Sequence, residues 1–103
     1  MPKQYNEEIA KLKRSQYWTN VELKRIDELL KFKNVQIGRE INLINEAKAS
    51  GRYDQIAQHN GWRIRYLKEQ EALISLQCKL RAEQGETGRQ IVKIRQGTPR
   101  YYS

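Results

Sequence analysis

The chain has few of the residues that form covalent crosslinks, metal sites or catalytic groups. Its 103 residues include one cysteine, Cys78, and one histidine, His59. An intrachain disulfide and a site built from several Cys or His ligands are therefore excluded. No glycine-rich phosphate-binding loop is present either. We expect a protein without enzyme activity, without a cofactor and without a metal ion, in which His59 lies in a turn or at a helix end.

Long apolar segments are also missing. The longest apolar run is three residues, 72–74, and the N-terminal stretch carries Glu7 and Glu8 where a secretory signal needs an apolar run. We therefore expect no membrane partner and a location in the cytoplasm, on the nucleoid or inside a virion. The hydrophobic fraction is 38% and the mean hydropathy is −0.93. This composition predicts either a thin core or an apolar surface that a partner completes.

Proline is confined to Pro2 and Pro99. Because proline is the strongest helix breaker, everything between these two positions is compatible with helix. The sequence therefore predicts an all-α fold, either a small helical bundle or a helical hairpin. We assign residues 1–96 to a single helical domain and residues 97–103 to a flexible basic tail.

Local signals predict where the helices begin and end. Thr19 and Glu22 have the spacing of a capping box, and Trp18 with Leu23 has the spacing of a hydrophobic staple, so a helix is expected over 19–33 after an earlier one over 3–16. Another helix is expected over 35–50, with a stop at Ser50 and Gly51. Whether residues 19–50 form one helix or two is left open.

The second half predicts a helix over about 62–84, ended by the glycines of 85–88, and a helix or strand over 89–95. Apolar residues at helical spacing predict the interior, either of this chain or of a coiled-coil homodimer. These residues are Leu23, Ile26, Leu30, Ile37, Ile41 and Ile44 in the first half, and Ile64, Leu67, Ile74 and Cys78 in the second, with Leu73, Leu76 and Leu80 beside them.

Residues 51–70 resemble a helix-turn-helix motif. Ala57, Gly61 and Leu67 fall at the small, glycine and apolar positions of that motif, where two helices cross closely around a tight turn. Asn60 and Gln70 depart from the pattern. The alternative is that 54–84 forms the return arm of a helical hairpin, with a kink or break at Asn60 and Gly61.

The charge is unevenly distributed. The net charge is +8, from 20 lysines and arginines against 12 acids. Residues 1–33 carry eight cations and five acids, residues 34–62 carry three of each, and residues 63–103 carry nine cations and four acids. Basic ends around a neutral middle are typical of a protein that binds a polyanion.

We therefore predict a small basic nucleic-acid-binding accessory or regulatory protein, with DNA favoured over RNA. The predicted contacts are made by the second helix of the motif and by a C-terminal arm. These residues are Trp62, Arg63, Arg65, Lys68, Arg89, Lys93, Arg95 and Arg100. The alternative is a helical interaction or assembly subunit, of viral origin or not, whose basic face binds an acidic protein.

Overall fold

Two long α-helices account for the fold. The computed structural model describes residues 2–97, and the side chains of residues 6–97. Helix α1 spans Pro2–Ala49 and helix α2 spans Tyr53–Gly97, and the described residues contain no strand. The predicted all-α fold is confirmed, and of its two forms the structure adopts the helical hairpin. Residues 98–103, which hold most of the predicted tail, lie outside the described part.

The turn between the helices forms where the sequence predicts a stop. Gly51 has a φ of +69°, which favours glycine because a Cβ is strained in this region. The Arg52 N–H donates to the Ala47 carbonyl at 2.9 Å, and the Gly51 N–H donates to the Lys48 carbonyl at 3.3 Å. These two bonds are those of a Schellman motif, which satisfies the last carbonyls of a helix.

Two predicted helix boundaries are wrong. Thr19 is not an N-cap: it lies inside α1, and its hydroxyl donates to the Ser15 carbonyl at 2.9 Å. The glycines at 85 and 88 do not end a helix, because α2 continues through them to Gly97. Capping signals are local, and here the packing of each long helix along its partner overrides them. Residues 19–50 accordingly contain one helix rather than two.

The helix-turn-helix prediction is also wrong. Asn60 and Gly61 lie within α2, whose first residue is Tyr53, so no turn separates two short helices. The alternative, the return arm of a hairpin, is what the structure shows. An interior glycine costs a helix about 1 kcal/mol, a cost that packing along α1 offsets.

The two helices contact each other along a seam of seven-residue period. The less exposed positions of α1 alternate at spacings of three and four, as expected of a coiled coil. In α1 they are Ile9, Leu12, Gln16, Thr19, Leu23, Ile26, Leu30, Lys33, Ile37, Glu40, Ile44 and Ala47. In α2 they are Ile56, His59, Arg63, Tyr66, Gln70, Leu73, Gln77, Leu80, Gln84, Thr87, Ile91 and Ile94.

The predicted interior is only partly correct. Ile26 and Ile44 are buried in the seam, whereas Ile41 is 41% exposed. In α2 the predicted stripe is divided: Leu73 and Leu80 lie in the seam, whereas Ile64 and Ile74 are each 43% exposed and Cys78 is exposed. Polar side chains take several of the α2 seam positions, so apolar spacing alone did not identify the face that packs against α1.

Contacts divide the chain into two compact units. The turn unit consists of Ile26–Leu76, and the terminal unit consists of Met1–Arg25 with Gln77–Ser103. Each unit contains an antiparallel pair of helical segments.

Candidate binding surfaces

A histidine and a glutamate form a hydrogen-bonded pair across the seam of the turn unit. His59 Nδ1 lies 2.7 Å from Glu40 Oε2, and the two side chains are 24% and 13% exposed. The predicted turn position of His59 is therefore wrong, because His59 lies within α2 and bonds to the opposite helix. Arg63 is one turn further along the same seam, and its Nε is buried without a hydrogen-bond partner. Buried polar groups of this kind favour one register over others but stabilise less than apolar packing.

An ion pair also crosses the seam, from Lys33 of α1 to Glu69 of α2. Glu69 also accepts a 3.4 Å hydrogen bond from Arg65 Nε. The hydrogen bond from Lys33, with a smaller contribution from Arg65, holds the pKa of Glu69 below its ordinary value of 4.5. Next to this pair, the Gln70 amide donates to the Asn34 side-chain oxygen. These contacts fix the register of α1 against α2 within the turn unit.

Aromatic rings on α2 stack with neighbouring cations in the turn unit. The rings of Trp62 and Tyr66 are stacked with their centroids 5.9 Å apart. The Arg65 guanidinium lies 5.3 Å from the Trp62 ring centre, and Lys33 Nζ lies 5.2 Å from that of Tyr66. Such contacts hold Trp62 in place although it is 41% exposed.

The predicted DNA-contacting residues of α2 do not share one face. Arg63 is half-buried in the seam, whereas Arg65 and Lys68 are exposed on the outer side of α2. Arg65 is also held by Glu69 and by the ring of Trp62. The expectation that all three cations face the same ligand came from placing a helix start at Trp62, and the uninterrupted α2 removes its basis.

In the terminal unit, one flank of the seam carries cations only. With the seam residues at heptad positions a and d, the charged residues at the e positions of this flank are Lys13, Arg81 and Arg95, and all three are exposed. The other e positions among the described residues of this unit are Asn6, Asn20 and Gly88. Tyr17 and Lys24, at neighbouring b positions, lie four residues after Lys13 and Asn20 on the same side of α1. We call Lys13, Tyr17, Lys24, Arg81 and Arg95 the basic flank.

The opposite flank of the terminal unit carries acids at the equivalent positions. With the seam residues at heptad positions a and d, the charged residues at the g positions are Glu8, Glu22 and Glu83, and we call them the acidic flank. Ser15 and Gln90, which also lie at g positions of this unit, are neutral. The charges at the e and g positions, which border the seam, are thus separated by sign, although Lys11, Lys79 and Lys93 lie at c positions beside the acids.

The four predicted residues of the C-terminal arm are distributed over different surfaces. Arg89 lies on the outer face of α2 and pairs with Glu86 at 2.9 Å. Lys93 lines an open groove of about 380 Å³ together with Glu8 of the acidic flank. Arg95 is on the basic flank, and Arg100 lies outside the described residues.

Sequence reasoning missed most of the basic flank. Tyr17, Lys24 and Arg81 were not considered as contact residues, because the helices were assigned one at a time. The missing signal is the seven-residue repeat, since Arg81 and Arg95 are two heptads apart in α2. Tyr17 is 62% exposed, and its ring meets that of Trp18 edge to face at 5.4 Å. An exposed aromatic among cations is a common feature of nucleic-acid-binding surfaces.

These features define a class of protein: an antiparallel helical hairpin with a partly polar seam and, in its terminal unit, a flank without acids. In comparisons with known proteins, no family model, no curated protein and no solved structure matches the chain significantly. Among the described residues, no helix is long and apolar enough to cross a membrane. In the same range, no three metal-ligating side chains come together.

Proposed function

We propose that this chain is a non-enzymatic nucleic-acid-binding protein whose terminal unit binds phosphates through the basic flank. The observation that carries the proposal is the separation of charge between the e and g positions that border the seam of that unit. Lys13, Arg81 and Arg95 lie along one flank without an acid among them, while Glu8, Glu22 and Glu83 lie on the other.

The charge of the two sequence segments supports the same assignment. Residues 1–25 and 77–103 contain twelve cations and five acids, a net charge of +7, whereas residues 26–76 contain eight cations and seven acids, a net charge of +1. Because a polyanion is attracted to the strongest positive field, the terminal unit is the favoured binding region.

The mode of binding we propose is phosphate contact rather than base reading. Base reading in the major groove requires a recognition element whose side chains project together into it. Arg63 is half-buried and Arg65 is held by Glu69, so α2 lacks such a row in the turn unit. Extended DNA offers phosphates along its whole length, and long basic side chains on one flank suit that repeat. Duplex DNA is therefore the favoured ligand, and sequence preference is expected to be weak.

The test is a salt titration of DNA binding with two matched triple variants. The first is Lys13→Gln/Arg81→Gln/Arg95→Gln, on the basic flank. The second is Arg39→Gln/Arg65→Gln/Lys68→Gln, which removes the same charge from exposed positions of the turn unit. Loss of three phosphate contacts is expected to lower the log–log salt slope by about 3 for the first triple only.

The two possible failures have different meanings. An equal loss for both triples would show that overall charge, and not the basic flank, determines binding. No salt-dependent binding to duplex DNA or RNA by the unaltered protein would overturn the proposal. The second candidate would then be an assembly subunit whose basic flank binds an acidic protein, which the same triple variants test in a pull-down with that partner.

A further inference from the structure

We infer that the turn unit binds a second copy of this chain through the flank that contains Trp62. This inference does not depend on nucleic-acid binding, because it concerns the nearly neutral turn unit rather than the basic flank. It starts from an imbalance inside the turn unit: polar groups occupy much of the seam, while large apolar side chains lie beside it.

The positions of this flank recur every seven residues on both helices, and apolar side chains occupy alternate ones. These g positions are Leu29, Gln36 and Leu43 in α1, and Trp62, Glu69 and Leu76 in α2. Leu29, Trp62 and Leu76 are 42%, 41% and 43% exposed. A two-helix coiled coil needs apolar residues only in its seam, whereas helices of a larger bundle carry an extra apolar row beside it. We call these six residues and Phe32 the tryptophan flank.

The charge of the tryptophan flank favours a neutral partner. Its one charged group, Glu69, is already paired with Lys33 and Arg65 of the same hairpin. An acidic protein would gain more from the basic flank of the terminal unit. Two copies of a chain with a net charge of +8 repel each other. Such copies associate most readily through the region whose own charge is nearly balanced, which is the turn unit.

The shape of the tryptophan flank fits a second copy. Phe32 projects from α1 one turn after Leu29 and is 58% exposed. On α2, Gln58, Gly61, Trp62 and Arg65 line an open cavity of about 300 Å³. A Cβ added at Gly61 would meet nothing within 4 Å. One flank therefore offers both a projecting aromatic ring and an open hollow beside a fixed tryptophan.

The heights of these two features are related by a two-fold axis. The Gln70–Asn34 bond sets the register, and counting eight residues along each helix from it puts Trp62 beside Asn42. Measured along the axis of α1, Phe32 then lies about five residues, or roughly 7.5 Å, before Ile37. The cavity beside Trp62 is at the height of Asn42, the same distance beyond Ile37. A two-fold axis at the height of Ile37 places Phe32 of each copy over the cavity of its partner, as isologous dimers require.

The test measures mass by light scattering on the full chain and uses a pair of matched glycine variants. Gly61→Leu fills the cavity, and Gly38→Leu adds the same side chain on α1, away from the tryptophan flank and also with nothing within 4 Å of its Cβ. Both replacements remove a helical glycine, so helicity by circular dichroism is expected to hold or rise in each.

The unaltered protein is expected to rise from 12.3 kDa to twice that mass as its concentration is raised from about 1 μM to about 100 μM. Gly61→Leu is expected to weaken dimerisation by at least about tenfold, as loss of a central aromatic contact does. Gly38→Leu is expected to leave it unchanged. Phe32→Ala combined with Gly61→Leu is expected to restore part of the loss, because the smaller side chain makes room for the larger one.

Three outcomes would overturn the inference. The first is a monomer at every concentration, which would leave the tryptophan flank without its second copy. The second is a dimer that Gly61→Leu does not affect, and the third is a dimer that Gly38→Leu weakens equally. Failure of DNA binding in the titration above would leave this test untouched, since the two surfaces share no residue.

Discussion

The two units of this hairpin use the same helical repeat for different purposes. The turn unit has charged groups in its seam, Lys33, Glu40 and Arg63, and nearly balanced charge overall. The terminal unit places its charges outside the seam and separates those at the e and g positions by sign. Lys33 and Glu40 bond to the opposite helix and help to set the register, while a charge on a flank stays available to a ligand.

Neither unit has a large apolar interior. Among the described residues the buried apolar side chains are Ile26, Ile44 and Ala47 in the turn unit and Ile91 in the terminal unit. Two packed helices bury little surface, so each of these residues contributes a large share of the stability.

The largest effect is expected at Ile44, one of the two buried isoleucines of the turn unit. Ile44→Ala removes an 8% exposed side chain and should lower the free energy of unfolding by about 2–4 kcal/mol, through lost burial and the cavity left behind. Ile41→Ala is the matched control, because Ile41 is 41% exposed and the chemical change is identical. Urea unfolding followed by circular dichroism measures both; similar losses would contradict the placement of the seam.

A smaller effect is expected at the hydrogen-bonded pair of Glu40 and His59 in the turn unit. Glu40→Leu alone leaves His59 without its partner and should cost about 1–3 kcal/mol. Glu40→Leu combined with His59→Leu replaces both polar groups by apolar ones and should recover that loss or exceed it. A double-mutant cycle by urea unfolding measures the coupling. Additive losses would show that the two side chains do not interact in solution.

The smallest effect is expected at Glu69, which is partly exposed and screened by solvent. Its pKa is held below 4.5 by Lys33 and Arg65, so the unfolded chain binds more protons than the folded one between these two values. Stability should therefore rise with pH through this window and fall as the solution is acidified.

Glu69→Gln should flatten this acid dependence. Glu71→Gln is its control, because Glu71 carries the same charge but has no ion pair among the described residues. Thermal unfolding midpoints between about pH 3 and pH 6 measure the slopes. Equal slopes for the unaltered protein and Glu69→Gln would show that the Lys33 contact is not maintained in solution.

The sequence by itself determined the helical class and the position of the turn. Proline is absent between Pro2 and Pro99, and Gly51 follows Ser50 as a helix stop. Both signals act through the backbone of a few adjacent residues, so they can be read without knowing what packs where. The uneven charge was visible for the same reason, since it needs only counting.

The tertiary structure decided which residues face the partner helix. Thr19 and Gly61 carry strong local signals for a helix start and a turn, yet both lie inside continuous helices. Arg63 and His59 occupy the seam, while Ile41, Ile74 and Cys78 lie outside it. The physical reason is that a seam is fixed by the joint register of two helices. One strong contact, such as Glu40 with His59, can place a polar residue inside where a single helix would place an apolar one.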